Sequence, residues 1–240
     1  MDTALVFIHG SGDSRHIWQA QSTYFSAVAP AIDALAIDLP GHGQCPDTLP
    51  AEASVADYAQ AVQSRMQQDF PRQRPIVVGH SLGGAIALQL ALDYPQDIGG
   101  LILIGTGARL RVLPALLDAA RNDPASAQEQ LGTMSVTGDH QGMLAAIPRE
   151  TQSAYALYRD LAACNRFDVM QRLPEIQLDT LILCGEEDRL TPVKFSYYLH
   201  EHLANSTLHS IADAGHYVMR EQPAHVNQRI SNWLDQVKRV

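Results

Sequence analysis

Basic residues are in the minority. Lys and Arg number 17 against 26 Asp and Glu, for a formal net charge of −9, and nowhere do they gather into a run. Nucleic acids and anionic membranes are held by clustered cations, so neither is an expected partner. Cysteine is scarce as well. Cys45, Cys164 and Cys184 are an odd set with no short-range pairing, which argues against a disulfide framework and for a reducing compartment. No apolar stretch approaches the ~20 residues of a spanning helix, and Ala4–Ile8 lacks the basic start and length of a signal peptide. A cytoplasmic address is expected. There is no H-E-x-x-H pair and no cysteine–histidine zinc spacing, so no metal is expected. His200 and His202, two apart on a helical stretch, do not share a face. Repeats and low-complexity tracts are absent too.

What remains is an ordinary folding chain of 240 residues, 46% hydrophobic and 18% charged. That length fits one domain with a sizeable core. Short apolar runs alternate with amphipathic ones. Ala4–Ile8, Leu35–Ile37, Ile76–Val78, Leu101–Ile104, Leu181–Cys184 and the weaker Thr207–Ile211 read as strands. Most are nearly continuous in Val, Ile and Leu, as in a parallel sheet covered on both faces. Ser54 and Asp57 resemble a capping box opening a helix through about Asp69. Leu82–Leu92, Val193–Leu203 (with Pro192 in its first turn) and about Ala224–Val237 read as further helices. Strand alternating with helix predicts an α/β fold with a doubly wound, mostly parallel sheet, whose ligands bind at the carboxyl ends of the strands.

The stretch 107–174 breaks this rhythm. It is helical in tendency and holds no convincing strand, so it is read as a small helical cap inserted after Leu101–Ile104. The core is then 1–106 and 175–240. The cap should fold over the carboxyl edge of the sheet. Its Arg109, Met134 and Met143 are candidate substrate contacts, and Leu110, Val112, Leu113, Leu116, Leu117 and Leu144 supply apolar surface.

Chemistry is carried by Gly79-His80-Ser81-Leu82-Gly83, set between the strand Ile76–Val78 and a helix. Such a G-x-S-x-G turn is sharp, and small residues on either side let it push the serine hydroxyl clear of the sheet. A serine is a weak nucleophile until a base takes its proton. Among ten histidines, His216 in Ala214-Gly215-His216 follows the last strand, where a loop carries it over the strand ends. The acid that orients it should follow another strand, and Asp188 is chosen over Glu186 and Glu187. Backbone donors for an oxyanion are expected from Leu82 N–H and from Ser11 N–H in His9-Gly10-Ser11-Gly12. His9 itself is read as a residue that holds this loop.

These segments, with Asp38-Leu39-Pro40-Gly41-His42-Gly43, Gly185-x-x-Asp188-x-x-x-Pro192 and Gly215-His216, resemble the successive motifs of the α/β-hydrolase superfamily over nearly the whole chain. The resemblance implies a serine carboxylesterase-like member with Ser81, Asp188 and His216 as its triad and no cofactor. It also implies that Gly41-His42-Gly43 is a structural turn. Relatives usually carry a hairpin before the strand leading to His-Gly, whereas here that strand starts at Ala4. About six strands are therefore expected, with Leu35–Ile37 at an edge. An open edge makes a homodimer an alternative to a monomer.

A serine nucleophile argues against the dehalogenases and epoxide hydrolases of this fold, which resemble it but use Asp. A small-molecule ester is the expected partner, and thioesters, lactones and diketones would use the same parts. Two other readings stay open. One is a cofactor-free carbon–carbon hydrolase, or a lyase or synthase using Ser81 as a base, in which last case Arg109, Arg111 and Arg166 would bind a carboxylate. The other is a ligand-binding or signalling protein with little turnover.

Overall fold

The computed structural model describes residues 3–29, 32–136 and 155–237. Six strands, β1 (Thr3–Ile8), β2 (Ile32–Ile37), β3 (Ile76–His80), β4 (Gly100–Ile104), β5 (Thr180–Gly185) and β6 (Ser206–Ile211), form one sheet in the order β2-β1-β3-β4-β5-β6. Every pairing is parallel. β2 lies at an edge.

Alternate residues of the central strands feed opposite cores, which is why the runs are continuously apolar. Val6, Ile8, Val77, Leu101, Leu103 and Ile182 face one side, with Tyr58, Val62 and Met66 of α2 (Val55–Asp69) and Leu82 and Ile86 of α3 (Leu82–Asp93). Leu5, Phe7, Val78, Ile102, Ile104 and Leu183 face the other. There they meet Phe25 of α1 (Gln19–Val28), the turn Arg15–Trp18, and Ile230 and Trp233 of the carboxyl-terminal helix Pro223–Val237. The edge strands β2 and β6 are only partly buried, matching their more polar sequences.

The expected elements form, with ends that shift by a residue or a few. The largest shift is in β2, which starts three residues before its apolar run. Helix Lys194–His202 begins after Pro192, with Val193 at its N-cap. The capping box at α2 is present: Ser54 N donates to Asp57 Oδ2 at 2.7 Å while Ser54 Oγ accepts from Asp57 N at 3.4 Å. The helix α1 has no counterpart in the sequence expectations.

Between β4 and β5, the described residues form α4 (Pro114–Asn122), α5 (Pro124–Ser135), α6 (Ala156–Arg166) and the 3-10 turn Met170–Glu175. No strand occurs among them beyond an isolated bridge from Arg109 to Asp168. Leu116, Ala120, Ala127, Leu157 and Leu161 join these helices in a small core of their own.

Candidate active site

The turn from β3 to α3 holds Ser81 at φ +52° and ψ −114°, a conformation costly for any residue with a side chain. The structure over-determines it. Ser81 N donates to Ile104 O at 3.0 Å, and Thr106 Oγ1 donates to Ser81 O at 2.8 Å. A β-carbon at Gly79 would stand 2.2 Å from Gly83 O, and one at Gly83 would stand 2.3 Å from Ile8 O. Only glycine fits either place. The motif's spacing is thus a steric requirement of the elbow.

His216 lies beyond β6 and is buried. Its Nδ1 is 2.8 Å from Asp188 Oδ2. Asp188 follows β5 and is itself held by Leu190 N, Thr191 N and Thr191 Oγ1 at 2.9, 2.8 and 2.7 Å. Burial works against the charge on both groups, yet each outweighs it for the other. The Asp188 carboxylate raises the His216 pKa above its ordinary value, and the imidazole with the Thr191 donors holds the carboxyl below its own. Glu186 and Glu187 are exposed, and Glu186 accepts from Ser210 Oγ at 2.9 Å. Of the three acids in this loop, Asp188 is the one bonded to His216.

Ser81 and His216 border one cavity of about 300 Å³. The Ser81 hydroxyl makes no hydrogen bond to another described residue, and such contacts commonly tighten only around substrate. Leu82 opens α3, and the amides of a first helical turn have no acceptor within the helix. Ser11 faces the same cavity. Its loop is held in place by His9, whose Nε2 accepts from Leu39 N at 3.0 Å, and by Gly12 N, which donates to Asp160 Oδ2 at 3.0 Å. Burial, with His42 beside it, drives the His9 pKa down to about 3, so the ring is neutral.

Described residues of 107–136 and 155–174 also border this cavity. Leu110, Val112, Leu113, Leu116, Met134 and Leu161 line it, and His216 N donates to Ser135 O at 2.7 Å. Arg109 lies outside this cavity, 3.7 Å from Asp168, and Arg166 donates to Glu52 O and Ala53 O. Met143 lies outside the described residues. Arg111, Arg189 and Lys194 stand along the cavity's margin.

Asp13 and Tyr217 are among the cavity residues that escaped the sequence reading. Asp13 accepts from Tyr217 Oη at 3.0 and 2.9 Å, and both line the cavity. Burial pushes the Asp13 carboxyl up to about 7 against the opposing bond from Tyr217. Their position in the chain was the available signal, since Asp13 follows the oxyanion loop and Tyr217 follows His216. Among the described residues, no group of three or more His, Cys, Asp or Glu is arranged to hold a metal ion. No helix among them is long and apolar enough to cross a membrane.

With this geometry in place, kinship is decisive. The chain belongs to the alpha/beta hydrolase family, which matches it over residues 5–228. A pimeloyl-[acyl-carrier protein] methyl ester esterase of Neisseria meningitidis is 31% identical over 226 residues, covering 87% of this chain and 84% of that protein. The structure of a thermophilic esterase is 34% identical with a TM-score of 0.80, covering 97% of this chain and 90% of its own. Another, of an enzyme degrading N-acyl homoserine lactones, is 27% identical with a TM-score of 0.83 over 97% and 93%.

Proposed function

We propose that this chain is a carboxylic ester hydrolase working through an acyl-enzyme on Ser81. The observation that carries the reading is a strained serine sharing one cavity with a histidine whose Nδ1 is bonded to a buried aspartate. His216 Nε2 takes the Ser81 proton as Oγ bonds to the ester carbon. The carbonyl π electrons move onto oxygen, where Leu82 and Ser11 N–H groups stabilise the charge. The tetrahedral adduct collapses, the bond to the alcohol oxygen breaks, and His216 returns the proton to that oxygen. Water deprotonated by His216 then attacks the acyl carbon, releasing the acid and regenerating Ser81. Asp188 stabilises the imidazolium at each stage. Thioesters and lactones are cleaved by the same sequence of bonds.

Residues 107–174 act as a cap over this site, with 1–106 and 175–240 as the hydrolase core. The free Cys45, Cys164 and Cys184 support a reducing, cytoplasmic location. The chain is a monomer or a homodimer formed along the open β2 edge.

The deciding experiment is Ser81→Ala assayed on p-nitrophenyl butyrate, with organophosphonate labelling of the wild type. Turnover should fall by roughly 10⁴-fold or more, and the label should sit on Ser81. A pre-steady-state burst of p-nitrophenol equal to the enzyme concentration separates this chemistry from a lyase or a silent binding protein. Wild-type turnover in the variant, or a label on another serine, would overturn the reading.

A further inference from the structure

The loop that carries Ser11 and the loop that carries His216 are joined by a side-chain bond that the hydrolysis above does not use. Tyr217 Oη donates to Asp13 Oδ1 at 3.0 Å and to Asp13 Oδ2 at 2.9 Å. Tyr217 directly follows His216, and Asp13 stands two residues after Ser11. One end of the bond therefore sits beside the base and the other beside an oxyanion donor.

The Tyr217 end is the fixed one. His216 N donates to Ser135 O at 2.7 Å, and His80 Nε2 donates to His216 O at 3.0 Å. Both backbone groups of the residue before Tyr217 are thus tied down. The Tyr217 ring packs against the buried His80 ring, with centroids 5.0 Å apart. The Asp13 end belongs to a turn. Asp13 N donates to Gly10 O at 3.3 Å, closing the chain around Ser11 and Gly12. Moving Asp13 moves that whole turn. Two residues from 107–174 grip the same turn at Gly12: Asp160 accepts from its N at 3.0 Å, and Gln128 Nε2 donates to its O at 3.1 Å. Neither of these contacts involves the base. Among the described residues, the Asp13 carboxylate has Tyr217 as its one hydrogen-bonding partner, and that bond is what sets the turn against His216.

We propose that Tyr217 and Asp13 are positioning residues, which hold the oxyanion turn in register with His216 so that Ser11 N–H meets the carbonyl oxygen as His216 takes the Ser81 proton. This rests on the esterase reading and deepens it. An oxyanion donor acts on charge that develops only in the transition state. A displaced turn therefore lowers kcat and leaves KM nearly as it was.

The test compares Tyr217→Phe, Asp13→Asn and Asp13→Ala on p-nitrophenyl butyrate at pH 8.5, above the value of about 7 to which burial raises the Asp13 carboxyl. Both side chains are only half-buried, so water can reach the groups left unpaired and the variants should fold. Outright loss of an oxyanion donor costs about 10²–10³-fold in kcat, so a displaced one should cost about tenfold to a hundredfold. Tyr217→Phe and Asp13→Ala should show that loss with KM changed by less than about threefold. Asp13→Asn, whose amide oxygen still accepts from Tyr217, should recover most of it. A second readout isolates the oxyanion. When Ser81 Oγ adds to the carbonyl carbon of 1,1,1-trifluoro-2-hexanone, the π electrons move onto oxygen and the serine proton passes to His216. The Ki of this ketone should rise in step with the fall in kcat, whereas a contact that only stabilised the fold would move Tm and neither of these.

A kcat and a Ki in Tyr217→Phe within about threefold of wild type would overturn the proposal. So would a loss carried by KM, an Asp13→Asn as impaired as Asp13→Ala, or variants that unfold outright, which would make the bond a prop of the fold. If hydrolysis and ketone binding depend on Ser81 but not on Tyr217, the positioning role alone fails. If neither depends on Ser81, the esterase reading fails.

Discussion

Among the described residues there are two buried histidine–aspartate pairs with almost the same bond. His216 Nδ1 meets Asp188 Oδ2 at 2.8 Å, and His42 Nε2 meets Asp160 Oδ2 at 2.9 Å. Their surroundings differ. His42 has its second nitrogen against Pro40 O at 3.3 Å, and Asp160 also accepts from Tyr58 Oη and Gly12 N. Arg159 joins the cluster, donating to Tyr58 Oη, Asp47 Oδ1 and Pro40 O. The polar atoms of that pair are spent on tying α6 to the loops after β1 and β2 and to Tyr58 of α2. His216 Nε2 has no hydrogen-bond partner among the described residues, and its ring borders the cavity beside Ser81. A histidine–aspartate pair is therefore no mark of catalysis by itself. A free second nitrogen, with room for a reacting atom next to it, is the distinguishing feature.

Asparagine at each acid would test that contrast most sharply. Asp188→Asn should lower kcat by about 10⁴-fold, because the amide favours the wrong imidazole tautomer. Glu187→Gln, on the exposed neighbour, should be mild. The reverse ranking would transfer the role. Asp160→Asn should act on the fold instead, costing roughly 3–5 kcal/mol in denaturant unfolding since it leaves His42 buried without its counter-charge. Its kcat, measured where the variant is still folded, should fall far less than that of Asp188→Asn. A larger kcat loss in Asp160→Asn would make the second pair part of the catalytic machinery.

The pairs should also part in their response to pH. Burial opposes the charge on His42, but Asp160 raises its pKa above the ordinary value, while His42 and the Tyr58 bond hold Asp160 below its own. A raised histidine stabilises the fold fully below ~6.5 and loses that contribution as pH climbs through the folded value. A depressed aspartate stabilises above ~3.9 and loses its contribution as pH falls. The stability difference between wild type and Asp160→Asn should therefore be largest between about pH 4 and 6.5. His216, also raised, must be neutral to act. The kcat/KM of the wild type should rise with pH through a midpoint above ~6.5, and Asp188→Asn should move that midpoint down. A profile flat from pH 5 to 9 would remove His216 as the base.

Much of this was legible in the sequence because the local constraints are severe. The elbow admits only small residues at 79 and 83, and strands buried on both faces must be continuously apolar, so both announce themselves. What escaped depends on contacts distant in sequence. Helix α1 has few inward apolar residues, with Phe25 and the polar Gln21 buried, and Gln21 Nε2 finds its partners at Met219 O and Asn227 Oδ1. No periodicity marks such a helix. The Asp160–His42 and Asp13–Tyr217 contacts join residues 118 and 204 positions apart, and no spacing rule reaches that far. Arg109, singled out by type alone, turns to Asp168 rather than to the cavity.

The smallest expected effect concerns the two walls of the cavity. From 1–106 and 175–240 the lining includes Ser11, Asp13, His80 and His216 beside Leu190, Pro192 and Phe195. The described residues of 107–136 and 155–174 contribute mostly apolar side chains, Leu113, Leu116, Leu131, Met134 and Leu161, with Arg111 and Ser135. The proposed hydrolysis gives the acyl chain of a substrate methylenes to bury, and the apolar side chains of this lining are the surface that would take them. Each buried methylene contributes about 0.8 kcal/mol, close to fourfold in kcat/KM, for as long as there is room. About 300 Å³ lies at the lower limit of ligand pockets, so room ends early. Rates on p-nitrophenyl esters should climb from acetate to butyrate or hexanoate and then decline, with poor hydrolysis of emulsified triolein. Leu116→Ala, which enlarges the apolar wall, should move the optimum to a longer chain, whereas Asp13→Ala on the polar wall should leave the optimal length where it is. A maximum at palmitate, or a jump in rate at an oil–water interface, would mean that the apolar wall of this cavity does not set the chain length.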